Sequence, residues 1–553
     1  MSPSPKTLGH RALFGKGVPW DRLAERLAPY HREEAVLVLT SLSALLGSEE
    51  AASAAVQRAL VGAFFLESAA RVEPKVKAGA VVFHREQVLL ALRLAITHCR
   101  GDGVTQPAGP AFFEGIARVL VAVTDHLAPP KAAPKRAAAR ETRERVMERL
   151  NRLIESEGLP AVDLRAECLR AHRLLFERGP KLAGRSGFGN LAGAFHERHG
   201  APAEPSWAAA LHLLAKTMDY TLATMHTRQP VVRIASDFRG SSLETRQVER
   251  LYSPFAMGLR RAEEEATHSL AEGAREPLRD LEALRRRPVI QLLEDTFAAA
   301  DPVLLAEALT TDLGARLMAC AEDKARARRW WTALVRDHAE SLLPALSEPL
   351  LRADRQHRNG EGRERPIADW FHVRGPEAML AWVVTAPLRR DFHDDEALWT
   401  SNGRMISALT HAAREATVTL EEWRAGRCQP GGKRPASVKV IHPVAIVERE
   451  VPLDAALVKL LAALFKEEGL LQDKIFAPLT LVSVGAIEAL ARLEKPPSLL
   501  SLLSKRAKSA QRTAPFSIFL EKQGLPASAG GTETAAAFDK LVKAMRKMLG
   551  VAA

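Results

Sequence analysis

The chain has 553 residues, a formal net charge of +12, 47% hydrophobic residues and 26% charged residues. That apolar content can bury several cores, so about two to four globular domains are expected and a disordered chain is excluded. The basic excess suits a polyanionic partner such as DNA or RNA. The four cysteines, Cys99, Cys168, Cys320 and Cys428, are too widely spaced for a zinc ribbon or a disulfide framework.

Met1 to Lys16 has no apolar signal-peptide core. The apolar stretch Ala35 to Leu46 is interrupted by Thr40, Ser41 and Ser43 and is too short to cross a bilayer, so a cytoplasmic location is expected. Ala, Leu and Arg dominate the composition and favour helix. From Trp20 to Leu127, apolar residues recur at spacings of three and four, which predicts several helices. Pro129 to Arg136 reads as an extended basic linker, solvated rather than bound. Helical periodicity resumes from Arg140 to Phe176. Gly184 to Asn190 is glycine-rich and reads as a loop, because no strand precedes it as a phosphate loop requires. Gln229 to Ile234 predicts a short strand.

From Leu284 the texture changes, with strand-like runs at Ala378–Thr385, Val438–Val447 and Ala477–Val484. The expected fold class is mostly α with a C-terminal α/β domain. The expected organisation is a helical N-terminal domain (1–127), a linker (128–139), a central helical region (140–283) and a mixed sheet flanked by helices (284–553). No Walker phosphate loop and no GxSxG elbow is present. Two further clusters read blandly. His196 and His199 lack metalloprotease spacing. His393-Asp394-Asp395-Glu396 reads as an acidic helix start rather than a cation site.

The segment Arg365 to Ala386 carries the functional argument. It reads as a strand reaching Asp369-Trp370, a turn at Gly375-Pro376 and a second strand, Ala381-Trp382-Val383-Val384-Thr385. A metal-dependent nuclease uses such a hairpin, with an Asp on one strand and Glu-x-Lys on the next. The period of two puts Glu and Lys on one face, where the acids hold a divalent cation and the Lys orients water. The segment resembles that hairpin in the restriction-endonuclease-like superfamily. The closest likeness is to bacterial members with Asp-Trp, a turn and a strand reading Glu-Cys-Lys-Thr.

On that resemblance Asp369 is the surviving acid. Trp382 stands at the Glu position, where its bulk is expected to fill the space a metal vacates, and Val384 stands at the Lys position. The superfamily's additional helix acid aligns near Ala339, with Glu340 one residue late, about 100° around the helix. The likeness extends upstream through Arg286 to Leu305 and downstream through the helix Met405–Trp423, the Pro443-containing strand and Pro478 to Leu490.

The resemblance therefore implies a nuclease-like fold with vestigial Asp369, Trp382, Val384 and Glu340. It implies no cofactor and no bound metal. The expected role is a non-catalytic, nucleic-acid-associated scaffold, by analogy a bacterial defence or DNA-processing component. Candidate phosphate contacts are Arg389 and Arg390 after the strand, and Arg285, Arg286 and Arg287 upstream. Two alternatives stand beside it. One is a protein-interaction scaffold without nucleic acid. The other is a nuclease using a divalent metal held by Asp369 and the displaced Glu340.

Overall fold

In the computed structural model, prolines open two of the helices that build the first core. Pro110 opens the helix Pro110–His126, and Pro302 opens Pro302–Leu309. A first-turn proline loses no intrahelical hydrogen bond there. The structure describes residues 7–47, 49–100, 109–127, 142–157, 163–186, 191–271, 281–346, 351–352, 356–358, 364–366, 368–386, 395–427, 437–528 and 530–551. Among them, no helix is long and apolar enough to cross a membrane. Pro129 to Arg136 lies outside them.

Two compact units form, each discontinuous in sequence. Unit 1 takes Met1–Arg136, Leu191–Cys320 and Asp539–Ala553, and unit 2 takes Ala137–Asn190 and Ala321–Phe538. The central stretch 140–283 thus contributes to both. The fold class is mostly helical with a mixed, helix-flanked sheet in the C-terminal part, as the sequence indicated.

In unit 1, the helices Arg32–Leu46, Arg85–His98 and Pro110–His126 bury Leu39, Leu42, Val88, Leu92, Ile116 and Leu120 in one core. A small sheet packs with them: β1 (Val231–Arg233), β2 (Ala256–Gly258), β3 (Val289–Leu293) and β4 (Thr296–Ala299), in the order β1-β4-β3-β2. β1 is the short strand expected at Gln229–Ile234. β3 and β4 come from the stretch that the resemblance placed just ahead of the nuclease-like hairpin. Here they pair with β1 and β2 in the other unit.

Asp301 caps the helix after β4, accepting from Leu304 N–H at 2.9 Å. Its carboxylate also takes Arg85 Nε at 2.8 Å, Arg85 Nη2 at 2.7 Å and Ser43 Oγ at 2.9 Å. Asp301 is fully buried, which alone would raise its pKa, yet Arg85 and the hydrogen bonds from Leu304 and Ser43 hold it below the usual range.

Unit 2 is built on the sheet β11-β10-β9-β8-β5: β5 (Leu351–Arg352), β8 (Trp370–Arg374), β9 (Glu377–Val384), β10 (Val440–Val447) and β11 (Thr480–Ser483). A separate ribbon pairs β6 (Gln356–Arg358) with β7 (Glu364–Pro366). β8 and β9 form an antiparallel hairpin in which Arg374 pairs with Glu377. Its two-residue turn needs a positive φ at the first central position, which Gly375 supplies at 56°. Pro376 cannot take a positive φ, so the turn is of the II′ kind.

β10 runs parallel to both β9 and β11. The helix Asp395–Arg424 connects β9 to β10, and Ala455–Glu467 connects β10 to β11. Pro443 sits in this central strand, where a missing N–H would ordinarily cost a ladder bond. Ile441 N–H donates to Ile475 O, so residues 441 and 443 face the β11 side. Pairing with β11 begins only at Val444. The proline therefore occupies a gap in the ladder.

The Gly184–Asn190 reading needs correction. The helix Gly179–Ser186 includes Gly184, Arg185 and Ser186, and residues 187–190 lie outside the described part. Two glycines among good helix formers were outweighed by a continuing helix.

Replacing Asp301 tests the buried pair. Asp301→Ala should cost ~3–5 kcal/mol of unit 1 stability, because it strands the Arg85 charge and uncaps a helix. The wild-type contribution is present above the ordinary Asp pKa and is lost as pH falls through the depressed folded value, so the variant should show a weaker acid dependence. Urea unfolding at pH 7 and pH 3 measures both, and a pH-independent difference under 1 kcal/mol would contradict this account.

Candidate functional site

Asp369 precedes β8 and enters the ladder through its N–H, which donates to Ala381 O at 3.0 Å. One carboxylate oxygen, Oδ2, accepts from Val383 N–H at 2.7 Å. The other, Oδ1, lies 2.6 Å from Arg336 Nη2, on the helix Lys324–Leu346. One turn earlier on that helix, Thr332 Oγ1 lies 2.8 Å from Thr385 Oγ1. Burial raises the Asp369 pKa, and Arg336 opposes this only in part, so the net direction is upward.

The neighbouring candidates point elsewhere. Trp382 joins a core cluster with Ala412, Ala416, Leu420 and Trp423, and Val384 joins another with Met405, Ile406 and Leu409. These partners all belong to the helix Asp395–Arg424. Strand alternation puts Trp382 and Val384 on one face and Val383 and Thr385 on the other. Trp382 therefore fills the seam beneath the Asp395–Arg424 helix, rather than the surroundings of the Asp369 carboxylate as expected. A one-residue slip would bring Ala381 and Val383 into frame, and neither carries an ionisable group.

Ala339 is fully buried, and Glu340 is half-buried one turn beyond Arg336. The side chain that meets Asp369 from this helix is thus a cation. Among the described residues, no group of three or more His, Cys, Asp or Glu side chains is placed to hold a metal ion.

Behind this hairpin lies a buried ionic network that periodicity did not reveal. Arg170, on the helix Leu164–His172, donates Nε and Nη2 to Glu488 Oε2 at 3.0 and 2.7 Å, and Nη1 to Glu167 Oε1 at 2.7 Å. His338 Nε2 lies 2.8 Å from Glu488 Oε1. Burial alone pushes the Glu488 carboxyl up, but Arg170 and His338 outweigh it and hold it well below the carboxylate range.

Glu448, just past β10, accepts from Trp331 Nε1 at 2.6 Å. Burial pushes its carboxyl up to about 7. Glu448 and Glu450 line a cavity of about 30 Å³ together with Asp163, Glu167 and Arg170. That volume holds a water molecule but no organic substrate.

A signal for this network existed. Glu488 stands alone in the apolar helix Val484–Ala491, and a lone charge buried in such a helix demands a partner. The partner itself lies too far away in sequence to be read.

The basic candidates separate. Arg285 and Arg286 belong to the short helix Glu282–Arg286 of unit 1, with Arg286 exposed and the Arg285 carbonyl accepting from Arg316 Nη2 at 3.0 Å. Arg287 is partly buried, and burial together with nearby Arg261 lowers its pKa. None of the three belongs to the unit that holds Asp369. Arg389 and Arg390 lie outside the described residues, as do His393 and Asp394. Asp395 starts the helix Asp395–Arg424, in keeping with an acidic helix start. His199 Nε2 lies 3.7 Å from Cys320 Sγ. The thiol is raised by burial, which leaves it in the unreactive protonated form.

No family model, no characterised protein and no solved structure matches this chain.

Glu448 gives a pH-dependent prediction. Its folded pKa near 7 exceeds the ordinary value of 4.5, so its stability contribution is complete below pH 4.5 and is lost as pH rises through 7. Glu448→Gln keeps an acceptor for Trp331 without the charge. It should match wild type at pH 4 and exceed it by roughly 1–2 kcal/mol at pH 8, a figure discounted because Glu448 keeps some solvent contact. Denaturant unfolding across that range decides it, and a gap that does not widen with pH would refute the assignment.

Proposed function

We propose that this protein is a non-catalytic, nucleic-acid-associated scaffold whose unit 2 is a degenerate restriction-endonuclease-like domain. The observation that carries the reading is the occupation of Asp369. Its two oxygens are committed to the Arg336 guanidinium and the Val383 N–H. A divalent cation binds hard oxygen ligands with open lone pairs and a net negative surrounding. An arginine at 2.6 Å supplies the opposite field. Trp382 and Val384, aligned with the metal-binding Glu and the water-orienting Lys, are closed into apolar packing. The order of hairpin, helix, Pro-containing parallel strand and late acid-bearing helix agrees with the resemblance that suggested the superfamily.

The nucleic-acid half of the reading rests on charge. An excess of 12 positive charges over the chain attracts polyanions and accelerates their encounter. Chemistry on the captured strand would then fall to a partner, and this chain would supply binding and placement.

Labelled single- and double-stranded DNA and RNA, incubated with the full chain and Mg²⁺ or Mn²⁺, test both halves. The expected outcome is no metal-dependent cleavage above that of Asp369→Ala, with binding whose affinity falls steeply from 50 to 200 mM salt. Cleavage that disappears in Asp369→Ala would restore the nuclease reading. No binding to any of the four probes at 50 mM salt would leave a protein-interaction scaffold instead.

A further inference from the structure

Unit 1 contains a groove of about 780 Å³, which is the size range of small-ligand and short-strand sites. Four fixed cations line it, Lys216, Arg228, Arg233 and Arg546, against two carboxylates, Asp219 and Asp237. The helix Ala203–Met218 contributes Lys216, the loop before β1 contributes Arg228, and the C-terminal helix Thr532–Met548 contributes Arg546.

The carboxylate of Asp237 is already spent. Oδ1 lies 2.5 Å from Lys216 Nζ and 3.7 Å from His212 Nε2, and Oδ2 accepts from Arg233 N–H at 2.8 Å. Burial pushes this carboxyl up, but His212, Lys216 and the Arg233 N–H prevail and keep it ionised.

His212 works as a bridge. Its Nδ1 accepts from Arg546 Nε at 3.1 Å, and its other nitrogen faces Asp237. An arginine always donates, so Nδ1 holds a lone pair and the ring is neutral, consistent with a pKa lowered by burial. Nδ1, the nitrogen with the lone pair, is committed to Arg546 and the ring is 3% exposed, which removes His212 as a general base.

What the bridge does is fix Arg546. With Nε tied back, the two terminal nitrogens of its guanidinium have no protein partner among the described residues, and neither has the exposed guanidinium of Arg228. Arg233 is held at 2.7 Å by Gln229. A pre-oriented guanidinium with a vacant fork suits a phosphate oxyanion, which it engages through two parallel hydrogen bonds.

We propose that this groove binds the phosphate backbone of a single-stranded nucleic acid, with Arg546 and Arg228 as the phosphate-reading residues. The inference deepens the nucleic-acid reading above and rests on it. A concave recess admits a flexible strand and turns away a rigid duplex.

The test compares full-length wild type, Arg546→Gln, Arg228→Gln, the double variant and Asp369→Ala. A labelled 12-nucleotide single strand, the matching duplex and tripolyphosphate serve as probes. Arg228 is exposed, so its replacement leaves folding intact even if Arg546→Gln perturbs the helix it sits on. The expected result is a single-strand affinity reduced at least ~10-fold in the double variant at 100 mM salt. The slope of log K against log salt should become shallower by ~1.4, about 0.7 per lost phosphate contact. Arg228→Gln alone should give about half that change, and Asp369→Ala none.

Wild-type binding with an unchanged slope in both Arg228→Gln and the double variant overturns the groove while leaving nucleic-acid association standing. Tripolyphosphate that displaces the strand at equal phosphate concentration overturns the strand in favour of a small free phosphate ligand. Absence of binding to strand and duplex alike removes the underlying reading, and the groove proposal with it.

Discussion

Arg170 and Glu488 lie 318 residues apart in sequence, and both are almost fully buried. Bringing two charges out of water costs several kcal/mol each, and only close pairing with further hydrogen bonds recovers it. Glu167 and His338 supply those hydrogen bonds. The helix Leu164–His172 can therefore settle in only one place against the C-terminal sheet, since any other register would leave a buried charge alone. That requirement gives a physical reason why the stretch Ala137–Asn190 folds with unit 2 while the residues on both sides of it fold with unit 1. Unit 1 has its own version of the constraint in Arg85 and Asp301, 216 residues apart.

The hairpin follows the same rule. Asp369 is a partly desolvated carboxylate just ahead of β8, and its charge needs a cation to neutralise it. Here Arg336 does so. Trp382 and Val384 take the apolar face beneath the Asp395–Arg424 helix, where each buried side chain of this size contributes about 1.5–3 kcal/mol. An ion pair beside one edge of the hairpin and apolar packing on its other face together hold β9 in place.

Much of this architecture was legible from local pattern. The strands at Ala378–Thr385, Val438–Val447 and Ala477–Val484, the Gly375-Pro376 turn and the helix Met405–Trp423 all announce themselves through period, turn chemistry and apolar runs. What pattern could not supply was pairing. Arg336 lies on the helix already singled out for a missing acid, yet nothing local says that a cation three residues before Ala339 would reach Asp369. The β3–β4 hairpin likewise reads as strand, but only tertiary pairing decides that it joins β1 and β2 instead of the C-terminal sheet. Arg285, Arg286 and Arg287 formed the most visible basic run. The cations of the groove, Lys216, Arg228, Arg233 and Arg546, are single residues on separate elements and form no run at all.

This contrast bears on what kind of function the chain can carry. General acid-base or metal chemistry needs a titratable group with an open lone pair or proton facing a space that admits substrate. The perturbed carboxylates Asp369, Glu448 and Glu488 of unit 2 are all hydrogen-bonded, and the cavity beside Glu448 admits no more than a water molecule or two. Perturbation of this kind reflects structural ion pairing, which shifts pKa values as strongly as catalysis does. The groove of unit 1 has the opposite character. Its buried carboxylate, Asp237, is held by Lys216 and the Arg233 N–H, while a positioned guanidinium keeps its fork vacant. Groups arranged in that way have a fixed positive field, which is what capture of an anion requires.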